Sequence, residues 1–226
     1  MSLAVPKETR HRTKQEFVYH TLREAIMRCT LAPGARLVID ELARQLEVSA
    51  IPVREALQLL QSEGLVVNVP HVGATVAHVS RESILEVFTV MEGLEMAGAR
   101  IAVQRATSQA LDAIGEIVAG MDRAMEADRY EEWADLNTRF HLALTELAGL
   151  PLLQEMMERV FDRWERVRRF FFNGVLLHRV EQAQEEHHLL LAALVSRDRN
   201  RFERAIREHN QNALASYTAF LERQAE

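Results

Sequence analysis

At 226 residues, 48% of them hydrophobic and 27% charged, the chain is too long for a stapled mini-domain and suits two modest globular domains better than one. No apolar run reaches the ~18 residues of a membrane span, and the first residues lack the apolar centre of a signal peptide, which points to the cytoplasm. A single cysteine, Cys29, excludes an internal disulfide framework or a Cys-based zinc finger. The net charge of −6 speaks against nucleic acid when taken whole, but it divides unevenly. Residues 1–79 hold nine Lys/Arg against eight Asp/Glu, and residues 80–226 hold eighteen against twenty-five. A near-neutral module is thus followed by an acidic one.

Residues 1–13 read as a flexible N-terminal segment. Helical periodicity then predicts a helix over 14–29 with Phe17, Leu22, Ala25 and Ile26 inward, a turn at Leu31–Gly34, and a second helix over 39–46. A tight connection through Glu47, Val48 and Ser49 leads to a third helix over 50–63. Pro52 is tolerated in its first turn, where amides have no intrahelical acceptor. Gly64 followed by Leu65 is a helix stop. Leu65–Val69 and Ala74–Ala77 alternate as two short strands around Pro70–Gly73. Three helices and a β-hairpin over 14–79 make a winged helix-turn-helix.

Beyond residue 79 only Pro151 interrupts the chain, and six helices are predicted, near 81–105, 107–126, 130–148, 151–172, 175–196 and 199–222. The fold class is therefore mainly α: a winged helix-turn-helix followed by an all-α six-helix bundle over 80–226.

The third helix carries the first functional signal. Val53, Ala56, Leu57 and Leu60 form its buried stripe, and Ala50, Arg54, Gln58 and Gln61 its open face. Arg can bond guanine O6 and N7 in a bidentate fashion, and Gln can do the same for adenine. Ser49 at the helix start suits a phosphate beside free amides. Arg44 on the second helix, with His71 and Gly73 in the wing, are further DNA contacts. The alternative is a protein-interaction module with Arg54 merely solvated.

The acidic half carries the second signal in its histidines. Asn137 and His141 are four apart and share a helix face that continues through Leu144 and Ala148. His187 aligns with Leu190, Leu191 and Leu194, and His209 with Phe202, Ile206, Ala213 and Phe220. Buried polar groups need partners, and a divalent ion, Zn²⁺, Ni²⁺ or Mn²⁺, would satisfy all four. A hydrogen-bonded core without metal remains open, as does a His-ligated metallohydrolase. The hydrolase lacks a base: Glu186 is rotated about 100° from His187 and should point elsewhere. His178 and His188 are left to the surface or to supporting roles.

Several stretches also resemble a known family. Leu31-Ala-Pro-Gly-Ala-Arg-Leu37, Glu41-Leu-Ala43, Val48-Ser-Ala-Ile-Pro-Val-Arg-Glu-Ala-Leu57 and Glu63-Gly-Leu-Val66 are similar to the GntR family of bacterial transcription regulators. Ala50, Ile51 and Glu47 depart from its usual residues. Asn137-Thr-Arg-Phe-His-Leu-Ala-Leu144, Glu186-His187 and Arg207-Glu-His209 resemble the FCD effector domain of the FadR-type branch, and the six-helix count resembles the VanR-like subgroup. The resemblance implies a homodimer on a palindromic operator. It also implies a metal on Asn137, His141, His187 and His209, and a small carboxylic acid as effector beside it. Arg159 and Arg163 are the candidate carboxylate partners, against a plain solvated face for the cluster Arg163, Arg166, Arg168 and Arg169. Met91 stands where the family often places an arginine, which hints at a different or less polar effector.

Overall fold

The computed structural model describes residues 13–225; apart from Thr13, the N-terminal segment 1–13 lies outside the described residues. The chain divides into two compact units, one ending at Ser80 and the other beginning at Arg81.

In the first unit Thr13 caps helix α1 (Lys14–Met27), its hydroxyl accepting from the Glu16 amide while the Glu16 carboxylate reaches back to the Thr13 amide. Such a box stabilises a helix start by about 1 kcal/mol. Val18, Leu22 and Ile26 are fully buried on α1, while Phe17 and Ala25 are only half-buried. The inward stripe is therefore set one residue away from Phe17. Helices α2 (Ile39–Gln45) and α3 (Ala50–Ser62) are joined through Glu47 in the left-handed region, φ 56°. Glycine usually takes that conformation, and it makes the short connection possible.

Helix α3 stops in a Schellman motif, Leu65 N–H donating to Leu60 C=O at 2.9 Å and Gly64 N–H to Gln61 C=O at 3.0 Å, with Gly64 at φ 74°. Strands β1 (Val66–Val69) and β2 (Gly73–Val76) pair antiparallel, Val66 opposite Val76 and Val69 opposite Gly73. Val53, Ala56 and Leu60 of α3 close on Leu22 and Ile26 in a single apolar cluster. Each fully buried Leu or Ile contributes roughly 1.5–3 kcal/mol.

The second unit holds α4 (Arg81–Arg105), α5 (Ser108–Glu126), α6 (Tyr130–Glu146), α7 (Pro151–Phe170), α8 (Leu177–Val195) and α9 (Arg199–Ala225). Pro151 sits in the first turn of α7, after Gly149 in the left-handed region and an extended Leu150. Between α7 and α8 the chain does not loop out. It passes through a π-helical turn, Phe172–Leu176, where sequence periodicity alone suggests a plain break. A Cβ on Gly174 of that turn would meet the tip of the Phe220 ring, so any larger residue there needs that ring to move. Helix α4 packs on α9, and α5 on α6 and α8, around Ile114, Val118, Met121, Trp133, Phe140 and Leu190. The buried stripe of α9 runs Phe202, Ile206, His209, Ala213 and then Tyr217, rather than to Phe220, which is half-buried. Among the described residues no helix is long and apolar enough to cross a membrane.

Candidate functional site

On the first unit, burial of Val53, Ala56, Leu57 and Leu60 turns the other face of α3 outward. Arg54, Gln58 and Gln61 are exposed and Ala50 is half-buried. Ser49 holds the N-cap position, exposed, and its hydroxyl makes no bond to its own helix. Arg44 is exposed in the last turn of α2. In the wing, His71 and Gly73 are exposed with φ values of 63° and 95°.

On the second unit, α6, α8 and α9 bring His141, His187 and His209 together. Each offers a ring nitrogen, and these atoms lie within 4.8 Å of one another. All three rings are buried. Asn137, one turn before His141, lines the same cavity as His141 and His209. His178 and His188 are exposed, and His188 bonds Asp122 at 2.9 Å.

The three imidazoles are held differently. His141 donates from Nδ1 to Glu95 Oε1 at 2.6 Å, and His209 donates from Nδ1 to Glu186 Oε2 at 2.7 Å. In each, the carboxylate fixes the ring and leaves Nε2 with its lone pair. His187 is fully buried, and neither of its nitrogens has a protein partner. Burial pushes its imidazole well below the ordinary histidine range, with His209, His141 and Arg179 adding to the shift. Burial likewise lowers His209, followed by His141 and Arg179. Both rings are thereby kept neutral, the form that ligates a cation.

Glu186 therefore does face away from His187, but it is not idle: it stands behind His209. The same Oε2 accepts from Arg179 Nη2 at 2.5 Å, and Oε1 accepts from Asn212 at 2.9 Å. Glu95, buried on α4, was not singled out by sequence pattern. Its signal is a lone carboxylate in phase with Met91 and Ala99 on an otherwise apolar stripe.

Arg159 and Arg163 do not reach the cavity. Both are exposed on α7, Arg159 pairing with Glu155 at 2.5 Å and Arg163 with Glu86 at 3.7 Å. The arginine that lines the cavity is Arg179 of α8, two turns before His187. Arg168 is also buried, but against Glu165, at 2.6 Å.

Two family descriptions match this chain: bacterial regulatory proteins of the gntR family over residues 14–76, and the FCD domain over 86–212. The HTH-type transcriptional regulator McbR of Escherichia coli K12 is 30% identical over 198 residues, 88% of this chain and 90% of McbR. The chain belongs to the GntR family. The HTH-type transcriptional repressor RspR of the same organism is 29% identical, over 86% of this GntR chain and 84% of RspR. The solved structure of E. coli McbR/YncC aligns with a TM-score of 0.70 at 28% identity, covering 95% of this chain and 99% of that one. A GntR regulator from Rhodococcus sp. RHA1, 24% identical with a TM-score of 0.68, has the same fold. The GntR chain described here is thus an HTH-type transcription regulator with an FCD domain, and its named relatives are regulators rather than enzymes.

Proposed function

We propose that this GntR chain is a ligand-responsive regulator of the VanR-like subgroup, working in the cytoplasm as a homodimer on a palindromic operator. Residues 14–79 read DNA and residues 80–226 sense and dimerise. Ala50, Arg54 and Gln58 meet base edges, while Ser49, Arg44, His71 and Gly73 meet the backbone. His141, His187 and His209 would hold a divalent ion, with the Asn137 amide as an oxygen donor. Nitrogen donors with one neutral oxygen suit Zn²⁺, Ni²⁺ or Mn²⁺. An ion there would supply a Lewis-acidic anchor for the carboxylate of a small metabolite.

The observation that carries this reading is His187. A fully buried imidazole with both nitrogens unpartnered costs stability, and it lies beside two others whose rings are already oriented from behind. An ion is the partner that answers all three at once. Coupling to DNA requires the metabolite to bind the DNA-competent and DNA-free forms unequally.

Metal analysis of the purified protein beside an Asn137→Ala/His187→Ala variant tests the ion. Bound metal in the first and its loss in the second is the expected result, and equal content in both would reduce the cluster to packing. A thermal-shift screen of small carboxylates with and without chelator tests the effector, the expected hit being one that needs metal.

A further inference from the structure

We propose that Ile51 reads the 5-methyl group of a thymine in the major groove and so sets a T·A preference within each half-site. The inference rests on the DNA-reading role given to residues 14–79 and names a base determinant which that role leaves open.

The first observation is where Ile51 falls on α3. Pro52, Val53, Ala56, Leu57 and Leu60 are buried, whereas Ile51, Arg54, Glu55, Gln58, Leu59 and Gln61 are exposed. At about 100° per residue, Gln61 and Leu59 mark the two edges of the exposed arc, each about 80° from Ile51. Ile51 stands at its middle, with Gln58 about 20° and Arg54 about 60° to one side. It is the first-turn side chain aimed most directly at whatever α3 docks on.

The second observation is that folding gives no reason for an isoleucine there. Its side chain is 67% exposed, and it stands outside the apolar cluster that Val53, Ala56 and Leu60 help to build. A β-branched residue is also a weaker helix former than alanine or glutamine.

The third is the chemistry around it. Residues at the start of a recognition helix are the ones that meet base edges. Ser49 at the N-cap is exposed, and the half-buried Ala50 has only a methyl to offer. Ile51 can neither donate nor accept, so against the polar edge of a G·C pair it would leave groups unbonded. The thymine methyl is the alkyl group that the major groove displays, and covering it sets carbon on carbon. Arg54, the next long side chain on this face, lies about 4.5 Å further along the axis. With about 3.4 Å between base pairs, the thymine should fall within about two pairs of the guanine that Arg54 takes.

The test deletes the methyl from each side in turn. Half-sites are selected from randomised duplexes on the full-length protein, then resynthesised with uracil replacing each thymine singly. Anisotropy titrations compare the parent with Ile51→Ala, an exposed change to a better helix former. Arg54→Ala identifies the guanine. At one thymine near it, uracil should weaken the parent by about 4-fold per half-site, while Ile51→Ala binds both duplexes alike. With cytosine at that place, 5-methylcytosine should bind the parent more tightly by a similar factor and leave Ile51→Ala indifferent. A half-site without thymine in that window, or uracil felt equally by both proteins at every position, would overturn the role given to Ile51 and leave DNA reading standing. No duplex preferred over a scrambled one would overturn the DNA reading itself.

Discussion

Glu95 places one carboxylate oxygen 2.6 Å from Nδ1 of His141 and the other 2.6 Å from Nδ2 of Asn210, so a single buried acid on α4 clasps α6 to α9. Both partners donate, and the carboxylate accepts in a buried setting where such charge-assisted bonds are strong. Ligand-supporting carboxylates of this kind typically change metal affinity by about 10- to 100-fold when removed. Glu95→Ala should therefore weaken the ion by that factor, and Glu95→Gln, which keeps one acceptor oxygen, should recover part of it. Competition against a coloured chelator measures this, with circular dichroism as the check on folding. Unchanged affinity in Glu95→Ala would mean that Glu95 serves packing alone.

His187 sets stability and metal binding against each other. Its unpartnered nitrogens burden the metal-free protein by about 1–3 kcal/mol, and leucine fills a similar volume without them. His187→Leu should melt higher than the parent when both are stripped of metal. It should also lose the upward shift that added Zn²⁺ or Ni²⁺ gives the parent. A variant that melts lower without metal but keeps the metal-induced shift would contradict both halves.

Arg54 and Arg44 should fail in different ways on DNA. Arg54→Ala is expected to cost about 1–3 kcal/mol on the operator and to relax preference at one base pair. Arg44→Ala should weaken all sequences alike and flatten the salt dependence by about one unit of slope. Anisotropy titrations with operator and scrambled duplexes, across a salt series, separate the two patterns.

Tyr19 on α1 bonds Glu63 at the end of α3, and burial first, then that bond, pushes its pKa up to about 12. An unfolded tyrosine ionises near 10. Between pH 10 and 12 the unfolded chain thus releases a proton that the folded one keeps, and stability falls as pH rises through that window. The melting advantage of the parent over Tyr19→Phe should be full below pH 10 and shrink towards pH 12. An advantage flat across that range would contradict the assignment.

The elements and the histidine cluster were legible because they follow from period. His141, His187 and His209 each sit in phase with apolar neighbours on their own helix, and that alone turns them inward. Glu95 obeys the same rule, yet one acid in a stripe reads as noise until the His141 ring is seen across from it. Arg179 precedes His187 by two turns, but its pattern does not separate it from the arginines of α7. Of those, Arg159 and Arg163 pair with acids, as Arg159 does with Glu155, and stay in solvent, while Arg166 and Arg168 are buried. Glu186 shows the limit of a one-helix argument: its rotation away from His187 is real, and what it meets there belongs to another helix. Periodicity favours Phe220, because the seven-residue step from Ile206 to Ala213 continues to 220 and hydrophobicity ranks phenylalanine higher; the four-residue step to Tyr217 is equally in phase, and it is Tyr217 that packing buries.

The π-helical turn at Phe172–Leu176 acts as a phase-setter. A π turn is an α turn with one residue too many, and each residue turns the following helix by about 100°. One wide turn takes up the extra residue and leaves α8 close to the phase an ordinary turn would give, whereas a residue added or removed within regular α-helix rotates everything after it. A single-residue deletion in α8 ahead of Arg179 would therefore turn Arg179 and His187 together by about 100°, although neither had been altered. The histidine cluster is therefore set by residue count along α8 as much as by residue identity.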